Sequence, residues 1–60
     1  MLFKIGALVE ITAVDENDRL HGVHIGDRGT VVEYDSSDDT VLLKLSNKRW
    51  WIYAKDLKEV

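Results

Sequence analysis

Four places in this chain carry residue types that could do chemistry. They are the run Lys48-Arg49-Trp50-Trp51-Ile52-Tyr53, the loop histidines His21 and His24 among carboxylates, the adjacent acids Asp38-Asp39, and the serines Ser36, Ser37 and Ser46. Catalysis needs a nucleophile beside a base, or paired carboxylates held in a pocket. Asp38 and Asp39 fall in a polar hairpin tip, where water keeps both ionised and nothing shields a substrate. The serines fall in turns, the chain has no cysteine, and no glycine-rich phosphate loop runs into a helix. His21 and His24 are three positions apart, but no third ligand stands at a recognisable spacing, so no metal site is expected. The expectation is a protein that is not an enzyme and uses no cofactor.

The tryptophan run is different. Successive side chains of a strand point to opposite faces, so Trp50 and Trp51 cannot both be core. Arg49 shares a face with Trp51 and Tyr53, whereas Trp50 shares one with Ile52. The charge on Arg49 makes its face the outer one and sends Trp50 and Ile52 inward. Aromatic residues and arginine dominate interface hot spots. Arg49, Trp51 and Tyr53, with Lys48 beside them and Leu42 and Lys44 facing out of the preceding strand, therefore form the candidate binding set, and a protein partner is expected. The same residues support a runner-up: Trp51 and Tyr53 stacking bases of single-stranded nucleic acid or RNA beside Lys44, Lys48 and Arg49. Two other uses of Trp51 remain, burial under the acidic loop 15–27 or self-burial in a weak symmetric homodimer rather than a monomer.

Composition narrows the field. The chain has 60 residues, enough for one domain, and a net charge of −3. That charge is divided: residues 1–40 hold three basic and nine acidic side chains, residues 41–60 five basic and two acidic. An acidic total argues against a dedicated duplex-DNA binder, which gains affinity by neutralising phosphates. No apolar run approaches the roughly 20 residues that span a bilayer. Met1 to Gly6 has neither a basic leader nor a long apolar stretch, and a domain this small without cysteine points to the cytoplasm.

The elements follow from alternation and turn residues. Phe3 to Gly6 is a short apolar lead-in. Ala7 to Val14 is the first strand, with Val9 and Ile11 inward. Asp15 to Asp27 has no period and reads as a long acidic loop whose Leu20, Val23 and Ile25 tuck back onto the core. Gly26 to Gly29 turns the chain into a second strand, Thr30 to Tyr34. There the adjacent Val31 and Val32 imply a sharply bent strand that buries parts of both faces. Asp35 to Asp39 is a hairpin loop. Thr40 to Leu45 is the third strand, with Val41, Leu43 and Leu45 inward, and Ser46-Asn47 turns into the fourth, Lys48 to Tyr53. Ala54-Lys55-Asp56 makes one helical turn, Leu57 drops into the core, and Lys58 to Val60 closes the sheet.

Several of these features together, Phe3-Lys4-Ile5-Gly6 before Val9 and Ile11, Ile25-Gly26-Asp27-Arg28-Gly29-Thr30-Val31-Val32, the tryptophan pair and Asp56-Leu57, resemble the small SH3-like barrels. The likeness is strongest to KOW-type and mind-bomb-type modules and to related small bacterial and prophage proteins. The resemblance implies an all-β, five-stranded barrel over 1–60, with a long first loop and one short 3-10 turn before the last strand. It also implies a binding role of the kind accessory prophage proteins perform on a host partner. The acidic first loop replaces the basic, glycine-rich one of KOW-type modules, so ribosomal or transcription-type RNA binding is not implied. The tyrosine pair of proline-binding SH3 domains is also missing, and recognition of proline-rich peptides is not carried over.

Overall fold

The computed structural model describes residues 3–60; Met1 and Leu2, the first two residues of the Met1–Gly6 stretch, lie outside the described residues. Five antiparallel strands, β1 (Leu8–Ile11), β2 (Arg28–Asp35), β3 (Thr40–Lys44), β4 (Arg49–Tyr53) and β5 (Leu57–Glu59), form one sheet in the order β4-β3-β2-β1-β5. A short helix α1 (Glu16–Leu20) lies in the first connection, and a 3-10 turn (Ala54–Asp56) joins β4 to β5. The sheet is not closed. Strands β4 and β5 are its two edges, although only that three-residue turn separates them in the chain. The sheet must therefore curl until its ends meet at one corner, since three residues span at most about 10 Å.

Alternation sets the core. Val9 and Ile11 of β1, Val31 of β2, Val41 and Leu43 of β3, Ile52 of β4 and Leu57 of β5 are buried together with Phe3, Val23 and Ala54. The bend expected at the valine pair is a β-bulge: Val31 opposes Leu43 and Glu33 opposes Leu42, which leaves Val32 as the extra residue. Val31 is core and Val32 half-buried. After the bulge Tyr34 returns to the inner side and packs against the core. Gly29 is required by close approach, because a β-carbon there would lie 2.8 Å from the Lys44 carbonyl oxygen and 2.9 Å from Leu45 Cδ2.

The long connection is more ordered than its sequence pattern implies. Asp15 caps α1: its Oδ1 accepts from the Asp18 N–H at 2.8 Å, while Asp18 Oδ2 accepts from the Asp15 N–H at 3.1 Å. This reciprocal pair is a capping box with aspartate in place of the usual glutamate. The helix stops at His21-Gly22. Gly22 takes φ +79°, its N–H reaches the Arg19 carbonyl, and the Val23 N–H reaches the Asp18 carbonyl. That is the Schellman arrangement, and it delivers the following apolar residue, Val23, into the core.

The expected inward tuck of Leu20 and Ile25 does not occur; they are 75% and 64% exposed. Asp18, not Leu20, faces inward, and Leu20 stands about 200° round the helix from it. Ile25 sits in the tight turn of residues 24–27, where the His24 N–H bonds Asp27 Oδ2 and the Asp27 N–H bonds the His24 carbonyl.

Candidate functional site

The β3–β4 register decides which of the candidate residues meet. Leu42 lies opposite Trp51, Lys44 opposite Arg49 and Thr40 opposite Tyr53. The hydrogen bonds flanking this ladder, Leu45 N–H to the Lys48 carbonyl and Ala54 N–H to the Asp39 carbonyl, fix its alternation. Trp50 and Ile52 turn their backbone groups to β3, and the three pairs above are the non-hydrogen-bonded ones, in which side chains sit closest. Arg49, Trp51, Tyr53, Leu42 and Lys44 therefore share the outer face. Trp51 is 43% exposed and Tyr53 48%, and Leu42 is half-buried between Trp51 and Glu33. The Lys55 ammonium lies 5.7 Å from the Tyr53 ring centroid.

Two features of this face are costly for a free domain. Large aromatic surface is left in water. Two cations, Lys44 and Arg49, face each other across the ladder, and like charges directly opposite are destabilising. The other cations of the sheet's outer side are engaged: Glu10 accepts from Arg28 Nε at 3.0 Å and lies 3.7 Å from Lys58 Nζ.

Lys48 does not join the outer face. It has the parity of Trp50, its ammonium lies 5.7 Å from the Trp50 ring, and it donates to the His21 carbonyl. Trp50 is held on this inner side. Its Nε1–H donates to Asp18 Oδ1 at 2.8 Å, and its ring lies 4.7 Å from that of His21, tilted by 33°. The long connection thus covers Trp50 and leaves Trp51 open. His21 is further tied by Nδ1 to the Asn17 carbonyl at 2.9 Å.

Asp18 was not legible as a partner of Trp50, 32 positions away. The available signal was local: aspartates three apart, ahead of a His-Gly stop. A groove runs beside β4, lined by Asp15, Asn17 and Asp18 on one side and by Trp50, Trp51 and Tyr53 on the other. Among the described residues no three histidine, cysteine or acidic side chains converge as a metal site would require, and no helix is long and apolar enough to cross a membrane.

At the β2–β3 hairpin, the Tyr34 hydroxyl donates to Asp39 at 2.7 Å, which raises the phenol's pKa above its ordinary 10.0. Ser37 donates its hydroxyl and its N–H to Asp35 Oδ1, which holds that carboxyl below its ordinary 3.8. Both groups lie in or beside the hairpin loop and take no part in the aromatic face.

Fold and site together define a small all-β domain with one aromatic and cationic surface at a sheet edge. Comparison of the chain with protein-family models, with curated proteins and with solved structures finds no match.

Proposed function

We propose that this chain is a non-enzymatic, SH3-like protein-binding module whose partner docks on the outer face of Arg49, Trp51 and Tyr53, with Leu42 and Lys44. The order β4-β3-β2-β1-β5, the long first connection and the 3-10 turn before the last strand support the SH3-like reading. One observation carries the binding role: the β3–β4 register sets exposed Trp51 against Leu42 and Arg49 against Lys44 on one face. A partner offering a carboxylate beside an apolar side chain would relieve the cation pair and cover the indole.

The test compares wild type with Trp51→Ala. The variant keeps its unfolding midpoint within a few degrees and loses its protein partner in pull-down. Truncating a hot-spot residue costs about 2 kcal/mol or more, near thirtyfold in affinity. Arg49→Ala and Tyr53→Ala give smaller losses. An oligouridine probe in the same buffers separates the nucleic-acid reading: tight binding that collapses steeply with salt would replace the protein partner by single-stranded RNA.

A further inference from the structure

Strand β4 is an edge, and the alternation of its ladder leaves the backbone N–H and C=O of Arg49, Trp51 and Tyr53 directed away from β3. The Tyr53 carbonyl is the first acceptor of the 3-10 turn, and the other five groups have no hydrogen-bond partner among the described residues. Edge strands are ordinarily protected by shortness, by charge or by a covering segment. The other edge, β5, has three residues, two of them charged. Strand β4 has five, and α1 meets it through the Asp18–Trp50 side-chain bond, with no backbone bond to its edge.

We infer that this edge takes an extended peptide segment of the partner by strand addition, filling the groove between β4 and α1. The inference rests on the protein-binding reading above and names the chemistry of its partner. Backbone groups at alternate positions 49, 51 and 53 match the outward repeat of a single antiparallel strand. With α1 as the far wall the groove suits a lone strand. The edge of a second folded copy would bring its own α1 and neighbouring strand against this one.

Charge selects the side chains. Residues of the added strand that point towards α1 meet the exposed Asp15 and Asn17. Those pointing outward lie beside Arg49, Trp51 and Tyr53. The segment therefore alternates basic residues on the groove side with apolar or acidic ones on the outer side.

The backbone claim separates from the side-chain claim at Tyr53, whose φ of −64° and ψ of 138° already suit proline. Its N–H points away from β3, so Tyr53→Pro deletes an outward donor and keeps the β3–β4 ladder. Tyr53→Ala removes the same ring and keeps the donor. The probe is an acetylated, amidated heptapeptide alternating lysine and valine, with its glutamate–valine counterpart as control, titrated into full-length protein and followed by amide exchange and fluorescence anisotropy.

The expected result has three parts. The Lys-Val peptide slows exchange at the Arg49, Trp51 and Tyr53 amides, and the Glu-Val peptide binds more weakly. Tyr53→Pro binds the Lys-Val peptide about three- to tenfold more weakly than Tyr53→Ala, the worth of one hydrogen bond. Equal affinity of the two variants, or no protection of the three amides at millimolar peptide, overturns strand addition. If Trp51→Ala still abolishes capture of a protein partner in that case, docking on the outer face stands without it. Protection of the same amides in the free protein, rising with its own concentration, assigns the edge to a second copy and also overturns the inference.

Discussion

The contact between Trp50 and Asp18 joins the long connection to the sheet, and its energy can be isolated. Asp18 is only 8% exposed and has two jobs: Oδ1 accepts the indole N–H at 2.8 Å, and Oδ2 accepts the Asp15 N–H at 3.1 Å. A hydrogen bond to a charged group contributes about 1.5–3 kcal/mol, and the return bond of the capping box up to about 1 kcal/mol, the Asp15 N-cap bond itself surviving. Asp18→Ala removes both and leaves a half-buried indole N–H without its acceptor, so a loss of about 2–4 kcal/mol is expected. A domain of this size has only about 3–9 kcal/mol to lose. Asp18→Asn keeps an oxygen for the indole and costs less than Asp18→Ala. Trp50→Phe removes the donor and keeps a ring over His21. A double-mutant cycle of Asp18→Ala with Trp50→Phe, measured by urea unfolding with Trp51 as the fluorophore, should give a coupling energy of about 1–2 kcal/mol. A coupling within about 0.3 kcal/mol of zero would refute the reasoning and reduce the contact to a geometric coincidence.

Further predictions concern the strands and the β2–β3 hairpin. Gly29→Ala should destabilise by about 1–3 kcal/mol in the same unfolding assay, because the added methyl meets a backbone carbonyl in the sheet. The raised phenol pKa of Tyr34 favours its neutral form in the fold. That contribution is present below pH 10 and lost as pH rises through the raised value. Absorbance titration should show one tyrosine ionising late, and Asp39→Asn, which tolerates the φ of +58° at that position, should bring it back towards 10.0. The lowered pKa of Asp35 acts in the opposite sense. Its contribution is present above the ordinary carboxyl pKa of 3.8 and lost as pH falls through the lowered value, so Asp35→Asn should flatten the acid limb of the stability profile.

The alternating strands were legible because period-two patterns report burial directly. Val9, Ile11, Val41, Leu43 and Ile52 are core for that reason, and Trp51 was assigned outward by its parity with Arg49. The 3-10 turn at Ala54–Asp56 also falls where the residues placed it. What escaped was structure without a period. One turn of helix at Glu16–Leu20 is too short to show a 3.6-residue repeat, and its evidence lay in caps. The inward assignment of Leu20 and Ile25 failed because hydrophobicity alone does not say which residue of a short, capped segment faces in. Lys48 looked like part of the cationic set by proximity in sequence, yet strand parity carries it to the Trp50 side. Trp50 to Asp18 is a long-range pair between a strand and a connection, and no local pattern encodes it.

The pairing of β1 with β5 sets an order of assembly. Strands β2, β3 and β4 are joined by short hairpins and can zip from their turns, whereas Val9 must find Glu59 and Ile11 must find Leu57 across nearly the whole chain. Closing so long a loop is entropically expensive until the meander offers a surface to close upon. The three-stranded meander is therefore expected in the folding nucleus and the β1–β5 clasp after it. Only residues 54–56 separate β4 from β5, so on a ribosome the aromatic edge and the segment that clasps β1 are delivered almost together, and β1 waits for both.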